Sequence, residues 1–254
     1  MKTSVIFLFC LMFTFIAFGQ NEKKEQLVNK NEANVTEPKL ALINDVELQL
    51  YSSNSALVKK FFMEHIKYPE NAAECCKQGT EVVEFVITPE GNVTDFNIIN
   101  SVCCDIDDEV IRVLEKTNGM WKPAVKEDQP VPMKQEIALA FSMCRMEIGP
   151  INKEFSEKVQ KYYTWGNESL FDDRKPKRAL RHFNNGIRLQ PYEKSLLYMR
   201  GLCKYELGDK EGARKDWDRL KDLGGIDNSE YFVEGVTELK GYEELLSMLQ
   251  TIKQ

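Results

Sequence analysis

The chain has 254 residues, with 34 basic and 40 acidic side chains and a formal net charge of −6 at pH 7. The two signs are largely interspersed, which leaves no cationic footprint for nucleic acid or an anionic membrane. His65 and His182 are its two histidines, neither shares a local motif with a serine or cysteine nucleophile, and no phosphate-cradling glycine loop occurs, so the chain reads as non-enzymatic and without a cofactor. At the N-terminus, Lys2 precedes an apolar stretch from Val5 to Phe18 that closes on Ala17-Phe18-Gly19 before Gln20. That is the plan of a secretory signal peptide over residues 1–19, too short to span a bilayer comfortably, and it predicts a soluble mature protein in the periplasm. The alternative is an inner-membrane protein anchored by the uncleaved segment. Cys10 lies inside the apolar run without a small residue before it, so lipidation is not expected.

Residues 20–39 are polar and poor in aromatics, which reads as a flexible leader, because such a segment buries too little surface to offset its ordering entropy. A first folded domain is expected over residues 40–146. Alternation from Asp45 to Tyr51 suggests a short strand. Ser53 or Ser55 then caps a helix carrying Leu57, Val58, Phe61, Phe62 and Ile66, and Tyr68-Pro69 stops it. Glu81–Thr88 and Asn92–Ser101 read as paired strands around the turn Pro89-Glu90-Gly91-Asn92. Asp107 opens a helix with Val110, Ile111, Val113 and Leu114, which Gly119 is placed to end. A last strand runs from Met133 to about Cys144, with Ile137, Leu139 and Phe141 on one face.

From residue 154 to 254 the pattern is helical and it repeats. Ala179-x-x-x-Phe183-x-x-Gly186 recurs 34 residues later as Ala213-x-x-x-Trp217-x-x-Leu220, with Gly201 and Gly208 ahead of the second copy and Leu189-x-Pro191 closing the first. That period resembles the tetratricopeptide repeat, and Phe183, Trp217 and Trp121 read as packing residues. A tail helix from Tyr242 to Ile252, with Leu245, Leu246, Leu249 and Ile252, is expected to cap the array, since each repeat exposes an apolar face that a neighbour must cover.

The first domain resembles the C-terminal domain of TonB-type transport proteins. The matching residues are Ile66-Lys67-Tyr68-Pro69-x-x-Ala72, Gly79-x-x-Val82-x-x-Phe85-x-Ile87, Glu90-Gly91-x-Val93-x-Asp95, Ile106-Asp107 with Val110-Ile111-Arg112-Val113-Leu114, Trp121-Lys122-Pro123-Ala124, Pro130-Val131 and a strand ending in Phe141. They cover roughly residues 55–143 in order. The fold class expected is therefore α+β: a small three-stranded antiparallel sheet with two helices, followed by an all-α tetratricopeptide-like array. The resemblance implies contact with an extended peptide of an outer-membrane TonB-dependent receptor or another envelope protein. Such a peptide would add as a strand beside Met133–Cys144, with Gln135, Ile137 and Leu139 as candidate contacts, although Ile137 and Leu139 also fit the core. Energy transducers of the family have a membrane anchor and a long proline-rich spacer, whereas this leader reaches at most about 70 Å when extended. A rival reading is a periplasmic scaffold or envelope-assembly adaptor that binds partners through its helical repeats.

The remaining candidates are local. Removing Cys10 leaves Cys75, Cys76, Cys103, Cys104, Cys144 and Cys203. Adjacent thiolates lack the spacing of a usual zinc chelate. The hairpin around Pro89–Asn92 instead returns the Cys103-Cys104 doublet towards Cys75-Cys76, so a disulfide between the doublets is expected, with zinc or free thiols as alternatives and Cys203 a buried thiol. Asp105, Asp107, Asp108 and Glu109 fall at a helix start, where carboxylates suit the dipole better than they suit a metal. Arg174, Lys177, Arg178, Arg181 and Arg188 lie near one helical stripe and offer either a solvated face or a grip for an acidic peptide.

Overall fold

A computed structural model describes residues 35–36, 39–40, 56–142, 146–148, 153–225 and 233–250. The segment read as a signal peptide, the strand expected at Asp45–Tyr51, the expected serine caps, Cys144 and Ile252 lie outside the described residues. Two short strands come first, β1 (Val35–Thr36) and β2 (Lys39–Leu40). Helices α1 (Ala56–His65) and α2 (Glu70–Glu74) follow on either side of Pro69. Strands β3 (Gly79–Ile87) and β4 (Val93–Asn100) form the expected hairpin, then comes α3 (Cys104–Glu115). Strands β5 (Trp121–Lys122), β6 (Ala124–Lys126), β7 (Gln129–Val131) and β8 (Met133–Phe141) lead to β9 (Met146–Ile148).

The main antiparallel sheet has the order β4-β3-β8-β9, one strand more than the sequence pattern suggested. That strand, β9, straddles the boundary expected at residue 146 and pairs with Leu139–Phe141. Of the segment read as a leader, only residues 35–36 and 39 are described. Its end at β1 and β2 pairs with β6 and β5, because backbone donors there meet strand partners however polar the side chains are. Helix α3 starts at Cys104, three residues before Asp107, since extended Cys103 is its N-cap. It stops at Glu115 ahead of Gly119, whose amide donates instead to the Gly91 carbonyl (2.9 Å). Gly91 itself sits at φ 82°, where a Cβ would lie 2.2 Å from the Trp121 carbonyl oxygen, so both the turn and the neighbouring strand require glycine.

On one face of the sheet, Val83, Phe85 and Ile87 of β3 join Ile137, Leu139 and Phe141 of β8 against Phe62, Ile106, Val110 and Leu114 of α1 and α3. The alternate residues, Val82, Ala138 and Ala140, are buried as well. What covers them is the helical half: α4 (Lys153–Asn167), a π-helical turn at Glu168–Asp172, α5 (Pro176–Leu189), α6 (Lys194–Glu206), α7 (Lys210–Asp222) and α8 (Tyr242–Gln250). Ala140 belongs to the core of this half. The helices form two hairpins, α4–α5 and α6–α7, each seated by a glycine under an aromatic ring. A Cβ on Gly166 would lie 2.3 Å from Phe183, and one on Gly201 would lie 2.1 Å from Trp217. The aromatic partners are 34 residues apart but the glycines 35. A π-helical turn accommodates one extra residue within a helix, and the one at Glu168–Asp172 restores the register. Leu245 and Leu249 of α8 are buried in the same core, as the tail helix was expected to supply.

Candidate functional site

Strand β8 carries the expected peptide contacts, and its alternation decides what each can offer. Ile137 and Leu139 are 2% and 0% exposed and point into the core, so they present backbone rather than side chain to a partner. Of the two readings left open for them, the core placement holds: the inward face that made them look like strand residues also removes their side chains from the surface, so they are not side-chain contacts. Gln135 is half-buried, and its amide donates to the neighbouring Lys134 carbonyl (2.9 Å). Lys134 is paired across the sheet with Glu84 (2.9 Å). On the side away from β3, β9 pairs with Leu139–Phe141, and among the described residues nothing pairs with Met133–Ala138.

Beside that open stretch, Glu136 joins the two halves of the molecule. Its Oε1 accepts from the Tyr192 hydroxyl (2.6 Å) and from Arg219 Nη2 (2.7 Å). The Arg219 guanidinium lies 5.4 Å from the Tyr192 ring centroid. Burial, followed by the Glu136 charge, pushes the Tyr192 hydroxyl well above its ordinary pKa, so it stays a donor. Thr80 Oγ1 donates to the Leu189 carbonyl (2.7 Å), and Asn100 Nδ2 donates to the carbonyls of Thr80 (2.7 Å) and Arg188 (3.3 Å). A Cβ on Gly79 would lie 2.7 Å from the Arg188 carbonyl oxygen, so the motif glycine is where the end of α5 closes on β3. None of these contacts was anticipated from the sequence. The signal was the apolar run Ile137–Phe141, which marks a strand covered on both faces.

Near the start of β3, Glu81 is fully buried and accepts from the Val102 amide (2.8 Å). Burial raises its pKa to about 9. The Val102 hydrogen bond opposes the rise, and the Asp107 charge adds to it. Asp107 also accepts from the Ser101 hydroxyl (2.9 Å), and Glu109 binds Arg112 (2.7 Å) and accepts from the Lys67 amide (2.7 Å). These contacts tie the acidic start of α3 to the chain around it. Among the described residues no group of three or more His, Cys, Asp or Glu side chains is placed to hold a metal.

The expected disulfide is not formed: Cys75, Cys76, Cys103, Cys104 and Cys203 are all free thiols. The hairpin does bring the doublets into one region. The Tyr68 hydroxyl donates to the Lys77 carbonyl, and its pKa is raised first by burial and then by the Cys103 and Cys76 sulfurs. Proximity alone does not make a bridge, which needs specific Cβ separations and directions. Cys103 is held as the N-cap of α3, while Cys76 sits in a turn at φ 50°. Cys203 is buried and its thiol donates to the Pro176 carbonyl (3.0 Å).

The cationic stripe divides into two environments. Arg188 belongs to the contact between the halves, whereas Arg174, Lys177, Arg178 and Arg181 are exposed around the N-terminal half of α5. Arg178 leans on Asp173 (3.2 Å). Beside them three rings meet: Tyr162 and Trp165 at 5.9 Å, Trp165 and His182 at 5.8 Å, and Tyr162 and His182 at 6.5 Å between centroids. Both His182 ring nitrogens are buried without a partner among the described residues. Burial, then Arg178 and Arg181, lowers its pKa.

Residues 64–143, just under a third of the chain, match the family described as the Gram-negative bacterial TonB protein C-terminal. By this match the sheet half is similar to a TonB-type envelope protein-interaction module. No curated protein and no solved structure matches the chain. No helix among the described residues is long and apolar enough to cross a membrane.

Proposed function

We propose that this protein is an exported, non-catalytic periplasmic binding protein of a TonB-type outer-membrane transport system. Its sheet domain takes an extended peptide of a receptor or partner by strand addition along Met133–Ala138 of β8. One observation carries the reading: β9 pairs antiparallel with the end of this same edge and leaves the rest without a strand partner among the described residues. An edge that accepts one short strand offers an extended peptide the same backbone donors and acceptors. Side-chain preference falls to Met133, Lys134 and Gln135, since Ile137 and Ala138 are buried and Glu136 is held by Tyr192 and Arg219. The two hairpins, read as tetratricopeptide-like repeats, brace the second face of the sheet through Glu136, Tyr192 and Arg219. Amide hydrogen exchange of the full chain, with and without a peptide from the periplasmic N-terminus of an outer-membrane receptor, tests this. Protection is expected at those amides within Met133–Ala138 that face away from β3. A bound peptide that leaves them unprotected refutes strand addition.

A further inference from the structure

Trp165 is 45% exposed, while Trp121 and Trp217 are 6% and 0% exposed, so one of the three tryptophans of the chain lies at the surface. It does so on α4 in contact with Tyr162 and with His182 of α5. A partly exposed aromatic group of this kind leaves apolar area that a partner can cover, and Trp, Tyr and Arg are the residues enriched where binding energy concentrates. The charges beside it are mostly positive. Arg174, Lys177 and Arg181 form no ion pair among the described residues, and Arg178 shares Asp173 with Lys175. The far end of α5 closes on β3, and its N-terminal half lies clear of that contact. A π-helical turn, a feature that recurs at functional sites, immediately follows α4.

We propose that Tyr162, Trp165 and His182, flanked by Arg178 and Arg181, form a docking site for an acidic peptide segment of a second envelope protein, separate from the β8 edge. An apolar side chain of the segment lies on Trp165, and carboxylates on either side of it pair with the guanidinium groups, which bind carboxylates in two-pronged fashion. The partly shielded aromatic surface strengthens those pairs relative to open solvent. Charge complementarity selects the occupant: the free cations outnumber the carboxylates of the π-helical turn, Glu168 and Asp172, once Asp173 is counted with Arg178 and Lys175. With both halves occupied, the protein links two partners.

The exposed tryptophan supplies its own readout. The full-length protein is titrated with a capped peptide of alternating Glu and Ser around one central Leu, with a counterpart bearing Gln in place of every Glu, and with a single-stranded oligonucleotide of similar charge. The acidic peptide is expected to shift the Trp165 emission and to bind at least about tenfold more weakly to R178E/R181E and in high salt. W165A, followed by anisotropy of labelled peptide, is expected to lose binding while its circular dichroism is unchanged. No emission shift, equal binding of the Gln peptide, equal binding by folded R178E/R181E, or preference for the oligonucleotide each overturns the proposal. None of these outcomes bears on strand addition, since the β8 edge is not altered.

Discussion

Replacing Glu81 with Gln perturbs one proton and little else. The amide is nearly the size of the carboxyl and keeps an acceptor for the Val102 amide, which Glu81 now holds at 2.8 Å. In the folded protein burial pushes the carboxyl up to about 9 from its ordinary value of 4.5. A carboxyl raised on folding keeps its proton in the native state while the unfolded chain releases it, so stability is full below pH 4.5, falls as pH rises towards 9, and then levels. The slope is roughly 1.4 kcal/mol per pH unit, which accumulates to about 3 kcal/mol by pH 7. Glu81→Gln removes this loss. Urea unfolding followed by circular dichroism from pH 4.5 to 8 is expected to give curves that coincide at the acid end and diverge steadily, the variant being more stable at pH 7. Parallel curves, or a variant less stable than wild type at pH 7, refute the reasoning. Either result would mean that Glu81 is charged in the fold and compensated by the start of α3.

Gly201→Ala places a methyl group 2.1 Å from Trp217 Nε1, which forces α6 and α7 apart and is expected to cost about 2 kcal/mol or more, read as a lowered thermal midpoint. Tyr192→Phe removes the hydroxyl that donates to Glu136 at 2.6 Å. It is expected to cost about 1 kcal/mol or more and to speed amide exchange in β8 while the core of the helical half keeps its protection; unchanged exchange in β8 would mean that Arg219 alone secures the contact.

Much of this molecule follows from local chemistry. The β3–β4 hairpin is legible because Pro89 and Gly91 meet the needs of its turn, and Gly91 is required a second time by the close Trp121 carbonyl. The recurrence of Ala179 with Phe183 as Ala213 with Trp217 marks the paired helices, whose rings sit over Gly166 and Gly201 of the preceding helices. Gly166 was as readable as Gly201, but one extra residue at the π-helical turn takes it out of the period. The alternation of Ile137 and Leu139 placed a strand correctly and left open whether those side chains meet a partner, because period alone does not say which face is covered. Tertiary structure decided that both are: helices α1 and α3 lie on one side, and on the other the helical half reaches the sheet through Tyr192, Arg219 and Leu189. It also left the cysteine doublets near Tyr68 without joining them, and set Arg188 apart from the cations at the other end of its helix. Turns, caps and helical spacing depend on residues a few positions apart, which a sequence displays. The pairing of Glu136 with residues 56 and 83 positions away depends on how two cores meet, and no local pattern encodes that.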